Sequence, residues 1–490
     1  MEIEKLSLKN LASAIAEKKI SCEEVTKSYL DRIQKLNSKI NAYVYTHQGA
    51  LDEAKKLDQE LAKSGAAGKK LFGVPFGIKD MLCTKKIPTT AASKILQNFI
   101  PPYDATVVKN IKDHGGLILG KLNLDEFAMG SSNETSFFGA CKNPWDLTRV
   151  PGGSSGGSAA AQAAGLAAAT IGTDTGGSIR QPASFCNVVG VKPTYGRVSR
   201  FGIVAYASSL DQAGPIVNTV EDAALVLEVI CGKDSNDSTT SSRPVENFSQ
   251  DLAQDLKGIK IGVIKEFNSD KVDEAVLSTF QEAINNAKKM GAEIVEISIP
   301  MTEHAIPIYY LIASSEASSN LARYDGVKYG YRADFRDLSS IDLEKFYSQT
   351  RAEGFGSEVQ RRIMLGTYCL SSGYFDAYYK KACQVRRVLK NQFEEQFKKC
   401  DVILSPVATS PAFKIGERID DPLTMYLNDI YTVSTNLAGL PGMSLPYGFS
   451  KENLPIGVQL MASPFQEKKM LNVAHALEKT TTASQKKINL

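Results

Sequence analysis

The sequence predicts an α/β protein with a large mixed, mostly parallel central sheet covered by helices on both faces. Three observations lead there. Short apolar, β-rich runs alternate with helical patterns along most of the chain. The 490 residues are 43% hydrophobic, enough for one very large core or two to three ordinary ones. No repeat of fixed period points to a solenoid.

In chain order, Ser21 followed by Glu24 forms a capping box and opens a helix running to about Leu36. A second helix reads from Leu51 to about Ala62, and "KSGAAGKK" ends it. Residues 1–65 are therefore expected to form a helical arm packed on a main domain over 66–480. "LFGVPFGIKD" is a buried strand ending at Lys79, "ATVVKNIKDHGG" a helix closed by Gly115, and "LILGKLN" a further strand. Later strands are "IKIGVIKEF", "AEIVEISIP", "DVILSP" and "PIGVQLMA". The Ser/Thr-rich stretch from Lys233 is a surface loop, and 481–490 is a flexible tail.

Charge and composition exclude several roles. The net charge is +3, from 57 basic and 54 acidic residues, which gives no case for strong intrinsic nucleic-acid binding. The eight cysteines, at 22, 83, 141, 186, 231, 369, 383 and 400, include no Cys-x-x-Cys pair, so neither a zinc site nor a thioredoxin-type motif is expected. They suit a reducing cytosol. The charged N-terminus lacks a signal-peptide core, and the uncharged run from Ala159 to Thr173 is too short to span a bilayer. The expectation is a cytoplasmic protein without metal or membrane.

The segment "PGGSSGGSAAAQAAGLAAATIGTDTGGSIRQPA", Pro151–Ala183, writes Gly-Gly-Ser at both Ser154 and Ser178. Ser155 to Gly165 reads as a helix about 16 Å long. Ala167 to Ile171 reads as a returning strand of about 16 Å. Outward and return paths match, so the two serine loops should meet at one end of the sheet. "TDTGGS" then offers consecutive backbone amides suited to a developing oxyanion. Without Gly-Lys-Ser/Thr neither loop is a Walker motif, though a phosphate cradle remains an alternative.

A catalytic serine needs a base. The four histidines, His47, His114, His304 and His475, all lie in helical or helix-flanking contexts and read as structural or exposed. A lysine serves as base only when neutral, which burial among apolar groups favours. Lys79, closing an apolar strand, fits that requirement, although many strand-end lysines reach solvent.

These residues converge on a known family. "GIKD" at Gly77–Asp80, "GGSSGGSAAAQAAG" at Gly152–Gly165 and "GTDTGGSIRQPA" at Gly172–Ala183 resemble the amidase signature family. "KPTYGRVSRFGIVAYASSLDQAGPI", "GSEVQRRIMLGTYCLSSGYFDAYYKKACQVR" and "NLAGLPGMSLPYGF" resemble its branch of tRNA-dependent amidotransferase subunits, and the likeness runs to about Met461. The resemblance implies the amidase signature fold and a triad of Ser178 as nucleophile, Ser154 on a cis peptide after Gly153, and Lys79 as base. It implies an oxyanion hole from the amides of Thr175, Gly176 and Gly177, supporting hydrogen bonds from Ser131 and Ser155, and Asp174 and Arg180 as structural ties. Glutamine is the implied ammonia donor. Its α-carboxylate calls for an arginine fork and its α-ammonium for a carboxylate. "EVQRRIMLG" supplies Arg361 or Arg362, of which the resemblance favours Arg362. "MYLNDIYTV" supplies Asp429. Tyr309 adds a hydroxyl contact, with Tyr310 competing for that place.

The resemblance further implies B and C partner subunits, and ATP and Mg used by the complex mainly on B. The ammonia would convert misacylated Glu-tRNA(Gln) to Gln-tRNA(Gln), and this chain would bind no cofactor itself. Two rivals stand beside this reading: a free-standing small-amide hydrolase with the same triad, and a non-catalytic nucleotide-binding protein using the Gly-rich loops.

Overall fold

The computed structural model describes residues 3–66, 68–267, 272–335, 341–418, 422–486, 488 and 490. Its centre is one eleven-stranded sheet. The strands are β1 (Tyr43–Thr46), β2 (Pro75–Lys79), β3 (Leu117–Leu122), β4 (Ala169–Asp174), β5 (Val189–Lys192), β6 (Gln212–Val217), β7 (Lys260–Ile264), β8 (Glu293–Ile297), β9 (Val402–Pro406), β10 (Gly442–Phe449) and β11 (Pro455–Ala462). Their spatial order is β1-β3-β2-β4-β6-β5-β10-β11-β9-β7-β8. Every residue of β2, β3, β4, β5, β6, β9 and β11 is buried, whichever face it points to. Both faces are therefore covered, as the α/β reading expects.

The mostly parallel part of that expectation needs correction. Parallel pairing is confined to β3-β2-β4 at one end and β9-β7-β8 at the other. The other six pairings, β1–β3, β4–β6, β5–β6, β5–β10, β10–β11 and β9–β11, are antiparallel. The centre of the sheet is thus a run of short reversals, including a hairpin joining β10 and β11.

Local chemistry sets the elements. Ser21 Oγ accepts the Glu24 amide at 3.0 Å and Glu24 returns a bond to the Ser21 amide at 2.8 Å, closing the capping box of the Cys22–Ile40 helix. The N-terminal stretch also holds helices Leu8–Ala16 and Ala50–Ser64, and its β1 joins the main sheet beside β3. At the other end, buried Ala483 accepts a bond from Asn187 at 2.8 Å. All eight cysteines are unpaired thiols. No described helix is long and apolar enough to cross a membrane.

The Gly-Ser segment folds as a helix, Gly156–Ala163, followed by β4. β4 continues to Asp174, three residues past the expected end. Helix and strand double back, and the Ser155 amide donates to the Ser178 carbonyl at 3.1 Å. The two serine loops meet where β2 ends at Lys79.

Candidate active site

Lys79 is fully buried at the end of β2. Its Nζ donates to Ser154 Oγ at 2.8 Å, Ser155 Oγ at 2.9 Å and Thr173 Oγ1 at 2.8 Å. Burial lowers its pKa to about 7; the buried carboxylates Asp125, Asp174 and Asp211 oppose this without cancelling it. The amine is thus poised to be neutral near physiological pH while its hydroxyl partners carry no charge.

The two serines on Lys79 differ. Ser155 Oγ donates its proton to the Thr173 carbonyl at 3.0 Å and accepts the Thr173 amide at 3.2 Å, which locks it to β4. Ser154 Oγ makes no such donation among the described residues, and its proton is free to move. The Gly153–Ser154 peptide is cis. A β-carbon on Gly153 would lie 2.0 Å from Asp125 Oδ2, so only glycine fits there. Ser178 is 7% exposed, and its Oγ makes no hydrogen bond to a described residue. Lys79 and Ser154 are thus joined directly, while Ser178 is joined to them through its backbone bond with Ser155.

Asp174 and Arg180 hold the second loop. The Asp174 carboxylate takes Arg180 through Nε and Nη2, each at 3.0 Å, and the Gly177 and Ile179 amides at 2.9 and 3.2 Å. Burial alone would raise its pKa, but Arg180, Lys192 and Asn436 outweigh that and hold it at about 2. The Gly177 amide is therefore taken, which corrects its expected place in the oxyanion hole: the Asp174 carboxylate, three residues upstream, captures it. The amides of Thr175 and Gly176 have no partner among the described residues and remain available.

Tyr309 lies over this loop. A β-carbon on Gly176 would fall 2.6 Å from its Cζ. Tyr310 instead stacks on Tyr426 with ring centroids 3.9 Å apart. Arg362 is buried, donates to Glu358 at 2.8 Å and to the Tyr206 hydroxyl at 2.5 Å, and faces the Tyr310 ring at 5.1 Å. Its neighbour Arg361 is half exposed and pairs with the other Glu358 oxygen. Of the two arginines, Arg362 is the one directed inward. Asp429 is buried and receives the Ser131 hydroxyl at 2.6 Å. Burial raises its pKa to about 7 against the opposing effects of Ser131 and Arg362. A cavity of about 250 Å³ opens beside these groups, with Ser131, Glu126, Arg361, Arg362 and Tyr426 on its wall; Asp429 and Ser178 are not on that wall.

Several further contributors have roles that their sequence segments do not reveal. Thr173 is the third hydroxyl on Lys79. Asp211 takes the Thr175 hydroxyl at 2.7 Å. Thr432 donates to the Gly176 carbonyl at 2.6 Å and so ties the Asp429 turn to the second serine loop. Each sits inside a segment quoted above, and only the tertiary fold gives it a partner. Among the described residues, no group of three or more His, Cys, Asp or Glu could hold a metal ion.

Known proteins share this sequence pattern and fold. A family model described as Amidase matches residues 24–471. The chain is 64% identical over 478 residues to the A subunit of glutamyl-tRNA(Gln) amidotransferase from Bdellovibrio bacteriovorus, covering 98% of this chain and 97% of that one. Against its counterpart from Caldanaerobacter subterraneus it is 56% identical over 481 residues, covering 98% and 97%. The crystal structure of the Thermotoga maritima counterpart superposes with a TM-score of 0.81 at 43% identity, covering 98% of this chain and 95% of that one. The peptide amidase of Stenotrophomonas maltophilia superposes at 0.83 with 30% identity, covering 97% of each.

Proposed function

The chain belongs to the amidase family, and from that premise we propose that it is the glutamine-hydrolysing subunit of a tRNA-dependent amidotransferase. The observation that carries the chemistry is the buried Lys79 amine hydrogen-bonded to Ser154 beside the Ser178 loop. Neutral Lys79 withdraws a proton through Ser154 from Ser178, whose oxygen attacks the side-chain amide carbon of glutamine. The oxyanion forms against the Thr175 and Gly176 amides. The same proton returns to the amide nitrogen, the C–N bond breaks, and ammonia leaves a γ-glutamyl ester on Ser178. Water, deprotonated by the same relay, releases glutamate and restores the serine.

The glutamine head group supports the amidotransferase over a general amide hydrolase. Arg362 suits the α-carboxylate and Asp429 the α-ammonium, with the Tyr309 ring over the reacting end. A simple amide has neither head-group charge and would gain nothing from these two residues. The relatives' name points to misacylated Glu-tRNA(Gln) as the destination of the ammonia. ATP-dependent activation of that glutamate belongs to a partner B subunit, with a C subunit supporting the contact.

The test measures glutamine hydrolysis by the chain alone and then with the partner subunits, ATP and Glu-tRNA(Gln). Turnover that rises on assembly, with Gln-tRNA(Gln) formed, is the expected result. Turnover indifferent to all three additions returns the chain to the free amidases.

A further inference from the structure

The short segment from Asp125 to Ser131 touches three parts of the site at once. Its backbone is unusual: Phe127 and Ala128, both buried and neither glycine, have φ of 51° and 61°. Such residues persist where their surroundings over-determine them. Asp125 accepts the Asn133 amide at 2.9 Å and fills the space against Gly153, next to the Ser154 loop. Ser131 donates to Asp429. Phe127 packs edge-on against Phe355, with ring centroids 5.6 Å apart.

Glu126 faces another way. It is 3% exposed, takes the Ser93 hydroxyl, and accepts the Gly356 amide at 2.8 Å. Gly356 is the N-cap of the Ser357–Leu370 helix and has no side chain with which to cap it. The carboxylate of Glu126 supplies that cap from outside, at the positive end of the helix. About one and a half turns along the same helix stands Arg362, on the wall of the same cavity as Glu126. Two residues in from the cap stands Glu358, which orients Arg362 through its Nε and also takes the Tyr426 hydroxyl at 3.0 Å.

We propose that Glu126 is a positioning residue for the α-carboxylate end of glutamine: by capping the helix at Gly356 it fixes where Arg362 stands relative to the Ser154 loop, which its neighbour Asp125 holds. The inference rests on the glutaminase reading. Glu126 touches neither substrate nor reacting atoms; it acts through Arg362. Its signature is therefore a change in glutamine KM with kcat preserved.

Two variants break the contact from opposite sides. Glu126→Ala removes the cap. Gly356→Ala leaves Glu126 intact, but its new β-carbon would lie 2.5 Å from Glu126 Oε2 and so displaces the carboxylate. Gly356 has φ −72° and ψ 165°, which alanine adopts freely, so this variant carries the test even if Glu126→Ala does not fold. With the full chain in the assembly that supports wild-type turnover, each variant is expected to raise glutamine KM about tenfold, with kcat within about twofold. Glu126→Gln keeps an acceptor for the Gly356 amide and should stay within about threefold of wild type in KM. In an Arg362→Ala background, Glu126→Ala should lower kcat/KM by less than about twofold, because no guanidinium remains to be placed. An unchanged KM in Gly356→Ala, a loss confined to kcat, or full additivity with Arg362→Ala would each overturn the inference and leave the glutaminase intact. A wild-type chain that never hydrolyses glutamine would instead overturn the reading beneath it.

Discussion

Lys79 Nζ donates to Ser154 Oγ across 2.8 Å in a pocket that excludes water from the lysine. The relation has a direct consequence for pH. Burial sets the pKa of Lys79 at about 7, and only the neutral amine accepts a proton. Activity should therefore rise with pH through about 7 and level off above it. Lys79→Arg keeps the positive charge but cannot release its proton, and should lose at least about a thousandfold in kcat. A pH–rate profile and single-turnover kinetics check both; an active Lys79→Arg enzyme rules lysine out as the base.

Ser154 and Ser155 both contact Lys79, yet they should not be equivalent. The Ser155 proton is committed to the Thr173 carbonyl, whereas the Ser154 proton is free to travel. Ser154→Ala should cost at least about a hundredfold in kcat, and Ser155→Ala at most about tenfold, through looser placement of Lys79. Mass spectrometry after mixing with glutamine should find a glutamyl adduct on Ser178 in wild type and none in Ser178→Ala. Equal losses from the two alanine variants would remove the distinction.

The parallel ends of the sheet are legible in the sequence because their strands are mostly apolar runs set between turn and helical patterns, even where, as in β2 "PFGIK" and β3 "LILGKL", they carry glycine or proline. The strands that are not legible, β1, β5, β6 and β10, are those that reverse direction at one edge and through the centre. They are short or carry glycine and proline, which argue against strands in general. β6 reads "QAGPIV", and its Gly214 is required because a β-carbon there would lie 1.9 Å from the Val191 carbonyl of the neighbouring strand. In the site, the meeting of the Ser154 and Ser178 loops is legible from spacing, because a helix and strand of matched length must bring their ends together, whereas Lys79 is suggested only by the apolar strand it closes and by the family resemblance. Asp125, Glu126, Thr173 and Thr432 are not legible, since each finds its partner across the fold. Gly177 departs from its expected role because the capture of its amide by Asp174 is a feature of side-chain direction, which sequence order does not encode.

Asp174 and Arg180 form a buried ion pair with both side chains fully enclosed. Removing one partner strands the other charge, so Asp174→Asn or Arg180→Gln should lower stability by about 3–5 kcal/mol. The pH dependence has a definite sign. The folded-state pKa of Asp174, about 2, lies below its ordinary 3.8, so the folded state favours the carboxylate. Its contribution is complete above about 3.8 and is lost as pH falls through about 2. Denaturant midpoints followed down the acid limb should show wild type losing stability across that window by more than Asp174→Asn does; parallel curves would deny the pair its role.

Asp429 shares its titration range with Lys79, which makes the expected pH dependence steeper. Burial raises its pKa to about 7, and only the ionised form attracts the α-ammonium of glutamine. Productive encounter thus requires the loss of two protons from the free enzyme, one from Lys79 and one from Asp429. Below pH 7 the logarithm of kcat/KM should climb with a slope approaching about two, where a single ionisation would give about one. Asp429→Asn removes one of the two requirements. It should weaken glutamine binding at every pH and reduce the acid-limb slope to about one, with the remaining limb belonging to Lys79. A wild-type slope of one would mean that only one of these groups governs the reaction. A slope of two that survives in Asp429→Asn would assign the second proton to some other residue and take the ammonium site away from Asp429.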